Sequence, residues 1–236
     1  MRGTIQRTGG GGWLALLGGG EFTFEETLDA DAAWLEKVPA ELAGRPVGFV
    51  PAASGSTDYG EHFAAYLAEV FERPAVTIPI YRPRDARRAR NLERIEECSA
   101  VYLGGGVADH LLDALAGSPA AEALAGKLAA GGVVVAIAGA AQALGAAARS
   151  FRPGQTLPGL GWLPGGVVEP NFDPGHDRRL RKLLRAPGAR WGLGLATGSC
   201  LLLGPEGAIE RVGGCWTLDD PEGELVELEA GAGEER

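Results

Sequence analysis

Residues 132–141 read GVVVAIAGAA, an apolar run that passes without a polar break into Ala138-Gly139-Ala140-Ala141. Three consecutive valines followed by Ala136 and Ile137 favour extended backbone and leave no polar face, as in a strand covered on both sides. The alanines that follow favour helix. The stretch therefore predicts a buried strand, a tight turn of small residues, and a helix running to about Ala148.

The flanks repeat this alternation. Upstream, WLALL (residues 13–17) breaks into Gly18-Gly19-Gly20-Glu21, and PVGFV (46–50) into the small polar loop PAASGST (51–57). A third strand is expected over 75–80, and AVYL (100–103) ends in Gly104-Gly105-Gly106. Helical patterns fall between them. One is weak, over 31–38. Another, over 59–71, carries Phe63, Tyr66, Leu67, Val70 and Phe71 on one side. A charged helix precedes residue 100, and two more, over 109–115 and 120–130, are divided near Pro119. Downstream, strands are expected over 166–169, 192–195, 200–203 and 208–212, with a basic helix over 177–184.

Strands alternating with helices predict an α/β, three-layer domain: a mostly parallel, flavodoxin-like sheet with helices on both faces. Ligands in such sheets bind beyond the carboxyl ends of the strands. That rim is residues 18–21, 54–57, 104–106 and 137–140. The length of 236 residues suits one such domain, expected over 1–220, with an acidic, solvated tail over 221–236.

Composition narrows the function. A formal net charge of −9 argues against nucleic-acid binding. The basic stretch 82–94 is interrupted by Asp85 and Glu93 and reads as a solvated helix face. Cys98, Cys200 and Cys215 lack metal-type spacing, and Cys98 and Cys200, in or beside apolar runs, are expected as buried thiols. The three histidines are scattered, no Walker-type lysine follows the glycines, and GGG is not a dinucleotide fingerprint, so neither metal nor cofactor is expected. No stretch matches a signal peptide or membrane span, which predicts a cytoplasmic protein with no membrane partner.

The ordered landmarks GGGE (18–21), PAASG (51–55), LGGG (103–106), the strand–turn–helix, EPNF (169–172) and GLATGSCLLL (194–203) resemble one family. It is the cyanophycinase and aspartyl dipeptidase (peptidase E) family of serine peptidases, within the class I glutamine amidotransferase-like fold. The resemblance runs from about Trp13 to about Trp216 and implies a nucleophile elbow. The family's elbow resembles G-x-S-A-G-A. Laid on this chain it gives Val135-Ala136-Ile137-Ala138-Gly139-Ala140, with Ile137 in the serine position. The histidine-phenylalanine pair becomes Asn171-Phe172, and the acidic pair becomes Ala196-Thr197. An amide cannot act as the base a serine nucleophile needs. A β-branched residue at an elbow's positive φ is also costly, so the turn is expected either relaxed or strained at Ile137.

Other residues at the rim are candidates for contacting a ligand. Gly19, Gly20, Gly105, Gly106, Ala138 and Gly139 allow close backbone approach, and Glu21 reads either as a contact for a cationic or amide group or as an N-cap or surface carboxylate. Ser54 reads as a substrate contact or as a turn serine bonded to its own backbone. Asp109 and His110 follow the second glycine cluster, where the resemblance implies polar substrate contacts. Ser199 is near enough to the acid position to reach the pocket. His176 reads as part of a helix cap, and His62 as a structural residue of its helix.

The expectation is a peptidase-family relative without serine peptidase activity, binding a small amino-acid-like or peptide-like ligand or a protein partner. A hydrolase or transferase of altered mechanism is the first alternative, and a purely structural or complex-forming role the second. The resemblance also implies a homodimer, with no interface specified.

Overall fold

The chain is described over residues 5–229 by a computed structural model. Strand β5 (Val133–Ile137) takes the middle of the main sheet, where both its faces are covered. It pairs in parallel with β1 (Trp13–Leu17) on one side and β4 (Ala100–Leu103) on the other. Beyond β4 lie β2 (Val47–Val50) and β3 (Ala75–Thr77), also parallel. Beyond β1, the antiparallel strands β10 (Cys200–Leu203) and β11 (Ile209–Val212) complete a sheet of order β11-β10-β1-β5-β4-β2-β3.

Side-chain alternation divides the strand residues between two cores. Val133, Val135, Ile137, Ala15, Leu17 and Tyr102 face α1 (Leu28–Leu35) and α2 (Tyr59–Phe71). Val134, Ala136, Leu14, Leu16, Val101 and Leu103 face the other layer. That layer holds α3 (Ala89–Glu97), α4 (Ala108–Leu115), α5 (Pro119–Ala129) and α6 (Gly139–Ala143). A three-layer domain with a mostly parallel sheet results.

Aromatic rings fill the α1–α2 side, with Phe63 4.5 Å from Tyr102 and 4.8 Å from Phe49 between ring centroids. Beneath them Asp31 is fully buried. It accepts hydrogen bonds from Thr27 Oγ1 (2.7 Å), Trp34 Nε1 (2.7 Å) and Tyr66 Oη (2.9 Å), joining α1 to α2.

A second sheet, ordered β13-β12-β9-β8, comprises β8 (Gly166–Pro170), β9 (Trp191–Leu195), β12 (Cys215–Leu218) and β13 (Val226–Glu227). Helix α7 (Arg178–Leu183) packs on it through Leu180 and Leu183. A small hairpin pairs β6 (Ala147–Arg149) with β7 (Thr156–Pro158).

Several boundaries differ from those the local sequence suggests. Helix α6 stops at Ala143 rather than Ala148. The carbonyl oxygen of Gln142's side chain receives the Arg149 N–H (3.0 Å), and residues 147–149 enter the β6–β7 ladder instead. Helix α1 begins at Leu28, and β3 ends at Thr77, although Ile78 and Ile80 remain buried in the core. The tail expected to be solvated is tied to the domain as far as it is described. β13 pairs with β12, and Arg181 donates to the carbonyls of Pro221 and Gly223, both at 2.9 Å. Residues 230–236 of that tail lie outside the described residues. No described helix is long and apolar enough to cross a membrane. All three cysteines are buried and unbridged.

Candidate functional site

Strand β5 stays in register to its last residue. Ile137 pairs with Leu17, and the next amide, Ala138 N–H, still donates to Leu17 O at 3.0 Å. The chain turns only there. Ala138 adopts φ 53° and ψ −118°, a region that non-glycine residues rarely occupy. Gly139 then opens α6, and a Cβ on it would overlap the carbonyl oxygen of Gly106. The strained position therefore falls on Ala138, one residue later than the sequence alignment puts it. Ile137 is an ordinary strand residue, 2% exposed, with its side chain in the α1–α2 core. The ladder to β1 sets this register, and the pattern at the turn becomes Ala136-Ile137-Ala138-Gly139-Ala140-Ala141.

An open cleft of about 530 Å³ lies over this turn, at the carboxyl ends of β1, β2, β4 and β5. Six of the expected rim residues line it: Gly19, Gly20, Ser54, Gly105, Gly106 and Ala138. Ile137 and Asn171 reach it too. Asn171 arrives from the end of β8. Its backbone is held at φ 47°, its N–H donates to Gly18 O (2.6 Å), and its side-chain oxygen accepts from Thr197 Oγ1 at 3.1 Å. Gly19 has no side chain to block that approach, because a Cβ there would overlap Asn171 Oδ1. The fold thus brings together the residues aligned with the family's base and part of its acidic pair, as an amide and a hydroxyl. Ala196, the other residue of that pair, is half-buried and donates its N–H to Gly214 O.

The remaining candidates stand apart from the cleft. Asp109 accepts from Ser150 Oγ (2.6 Å) and Phe151 N–H (3.0 Å), which commits it to anchoring the loop after β6. His110 is turned the same way, its ring centroid 6.3 Å from that of Phe151. Both were expected in the pocket; the contact with a loop 41 residues away draws them off it. Glu21 is not among the lining residues, and Gly139 lies behind Ala138. Ser199 is buried and donates to Ala196 O at 2.7 Å. His176 is exposed and pairs with Asp173 at 2.6 Å. Within the cleft, Ser54 donates to Pro51 O (3.1 Å) and accepts from Ser56 N–H (3.3 Å), the bonding of a turn serine.

Ser56, within the expected rim stretch 54–57, lines the cleft too, and three lining residues fall outside that rim: Asp58, Tyr59 and His62. They occupy the β2–α2 connection and the first turn of α2, where His62 N–H donates to Asp58 O at 3.1 Å. The signal available for them was position, since a helix starting at the carboxyl edge of a strand aims its first turn at the rim. Burial, with Glu21 and Asp31 nearby, pushes the Tyr59 hydroxyl up to about 12.

Among the described residues the cleft therefore offers hydroxyls, one carboxylate, one imidazole and glycine backbone, with no lysine or arginine in its lining. Beside the strained turn stand a methyl group and an amide. No group of three or more His, Cys, Asp or Glu side chains among the described residues is placed to hold a metal ion.

The family model described as Peptidase family S51 matches residues 14–208. Among solved structures, a peptidase from an acI-B1 Actinobacterium superposes with a TM-score of 0.73 at 21% identity, over 94% of this chain and 95% of that one. A putative peptidase E protein from Listeria monocytogenes EGD-e does so with a TM-score of 0.62 at 14% identity, over 86% and 98%. At these identities the two structures show a shared fold. No curated protein matches the chain.

Proposed function

The chain belongs to peptidase family S51, and from that premise we propose that it keeps the family's cleft as a binding site for a small amino-acid-like ligand, without serine peptidase chemistry. The observation that carries this reading is Ala138 at φ 53° and ψ −118°. On this reading the turn is a nucleophile elbow that presents a methyl group where the reaction needs a hydroxyl. Asn171, in the cleft, has no basic nitrogen with which to activate one. Asp58 suits a ligand's ammonium group, and the glycine-lined floor suits close approach of a carboxylate or amide to backbone N–H groups.

The solved neighbours are described as peptidases, so hydrolysis is the first assay. Purified protein incubated with aspartyl dipeptides and β-aspartyl-arginine should give no turnover. Calorimetry should show saturable binding of an amino acid or dipeptide, at least tenfold weaker in Asp58→Asn or His62→Ala. Turnover by the wild type that a cleft substitution abolishes would overturn the proposal. Gly105→Ala is the better steric probe than any change at Gly139. A Cβ at Gly105 meets its neighbours at 3.4 Å or more, whereas one at Gly139 would displace backbone.

One observation favours a second reading. Ser56, Asp58 and His62 share the cleft, and a hydroxyl, a carboxylate and an imidazole are the parts of a hydrolase or transferase of altered mechanism. Turnover lost in Ser56→Ala and in His62→Ala would select that reading.

A further inference from the structure

We propose that Asn171 is the specificity-determining donor of the cleft: its Nδ2 takes an uncharged carbonyl oxygen of the ligand, and Thr197 is the positioning residue that aims it. This rests on the cleft over Ala138 being a binding site, and it names the group that a ligand must present there.

Asn171 is held from several sides. Its backbone N–H donates to Gly18 O at 2.6 Å, and its side-chain oxygen accepts from Thr197 Oγ1 at 3.1 Å. Its φ of 47° is one that asparagine tolerates better than most residues. The amide lies across Gly19, which lines the cleft: a Cβ there would meet Cγ, Oδ1 and Nδ2 of Asn171 all at 3.0 Å or less. Thr197 is fixed by its neighbours, since Gly198 N–H donates to Gly19 O (2.9 Å) and Ala196 N–H to Gly214 O (3.1 Å). The carbonyls of Gly18 and Gly19 thus hold the two loops in one frame.

The bond from Thr197 fixes the direction of the amide. With Oδ1 occupied, the other end is a pure donor, and Nδ2 has no acceptor among the described residues. A donor already held in place loses little freedom when an acceptor arrives. Ser54, in the same lining, has spent its hydroxyl on Pro51 O and Ser56 N–H. The acceptor is an uncharged one. Among the described residues the lining has no lysine or arginine and already contains the carboxylate of Asp58. A ligand carboxylate would be stripped of water beside a like charge, whereas a carbonyl needs only the one hydrogen bond.

L-Leucinamide and isopentylamine carry the same ammonium group and alkyl chain and differ in the carboxamide alone. Full-length protein would be titrated with each, followed by NMR. Leucinamide should bind about tenfold tighter than isopentylamine, the worth of one hydrogen bond. L-Leucine, with a carboxylate in that place, should bind more weakly than leucinamide. Asn171→Asp keeps the shape, tolerates the same φ and still accepts from Thr197, but puts an oxygen where Nδ2 stood. In that variant the preference for leucinamide should vanish or reverse. Thr197→Val frees the amide to turn and should cut the preference about threefold, with affinity for isopentylamine unchanged. A substitution that merely disturbs the cleft weakens both probes alike, so the ratio of the two affinities reports the hydrogen bond itself. An unchanged ratio in folded Asn171→Asp, or L-leucine binding tighter than leucinamide, overturns this proposal and leaves the cleft a binding site. An unchanged ratio in Thr197→Val overturns the positioning role. Saturation by neither amine removes the binding reading and this proposal together.

Discussion

At Ala138 the backbone holds a conformation costing of order 1–3 kcal/mol for a non-glycine residue, with no nucleophilic atom on its side chain. Glycine adopts this region without penalty but loses more entropy on folding, about 0.5–1 kcal/mol. Ala138→Gly is therefore expected to match or exceed the wild type in stability, by up to about 1–2 kcal/mol. Urea unfolding measures this, and a clear loss of stability would show that the turn is not strained. Asp31 gives a second test. Burial pushes its carboxyl from 3.8 up to about 6, outweighing three hydrogen bonds that pull it down. The folded state then holds this proton more tightly than the unfolded state does. Its contribution to stability is fully present below pH 3.8, falls as pH rises to about 6, and is level above that. The span of the fall is about 3 kcal/mol. Asp31→Asn keeps an acceptor for Trp34 and offers its amide to the two hydroxyls, which can turn to accept. Relative to the wild type, the variant should gain stability between pH 4 and pH 7. A constant difference across that range would show that Asp31 does not titrate there.

At the scale of elements, the β5–α6–β6 unit is held by polar contacts that the local sequence does not announce. Gln142 of α6 donates to Val168 O (3.2 Å) and to Glu169 (3.4 Å), and accepts from Arg149 N–H, joining the turn helix to both β6 and β8. Glu169 is buried, which raises its carboxyl pKa, and the Arg149 guanidinium beside it works against that rise. Arg149→Met leaves this carboxylate with the long contact from Gln142 and the charge of Arg179. Stability at neutral pH should fall by about 1–3 kcal/mol, the cost of an under-satisfied buried acceptor. Because the lost partner is an ion, the deficit should shrink as pH drops and Glu169 takes up a proton. Chemical denaturation at two pH values reads both effects, and a deficit that does not change with pH would assign the loss to packing of the arginine stem instead.

Across the whole molecule, the second sheet depends on chain that composition alone marks as solvated. Ending the chain after Asp220 removes β13, the two carbonyls that receive Arg181, and the Leu228 N–H bond to Cys215 O at 2.8 Å. At roughly 1 kcal/mol per net hydrogen bond, and with Arg181 free to turn to water, a loss of about 2 kcal/mol is expected. A truncated chain with an unchanged urea midpoint would show that this segment is passive.

The sequence by itself determined the alternation of strand and helix, the burial of β5 on both faces, the rim over which the cleft opens and the family. Each depends on short-range pattern: β-branched runs, apolar periodicity and glycine clusters act within a few residues of where they are written. It also put an amide, Asn171, where the resemblance lays the family's histidine on this chain, because identity at a position needs no folding to be read. Tertiary structure decided the rest. The ladder between β1 and β5 carries Ile137 to the end of the strand and puts the strain on Ala138. A hydrogen bond to Ser150 draws Asp109 away from the cleft, and the docking of α2 brings His62 and Asp58 into it. Those outcomes turn on one-residue register and on partners distant in sequence, quantities that exist only once the chain has packed against itself.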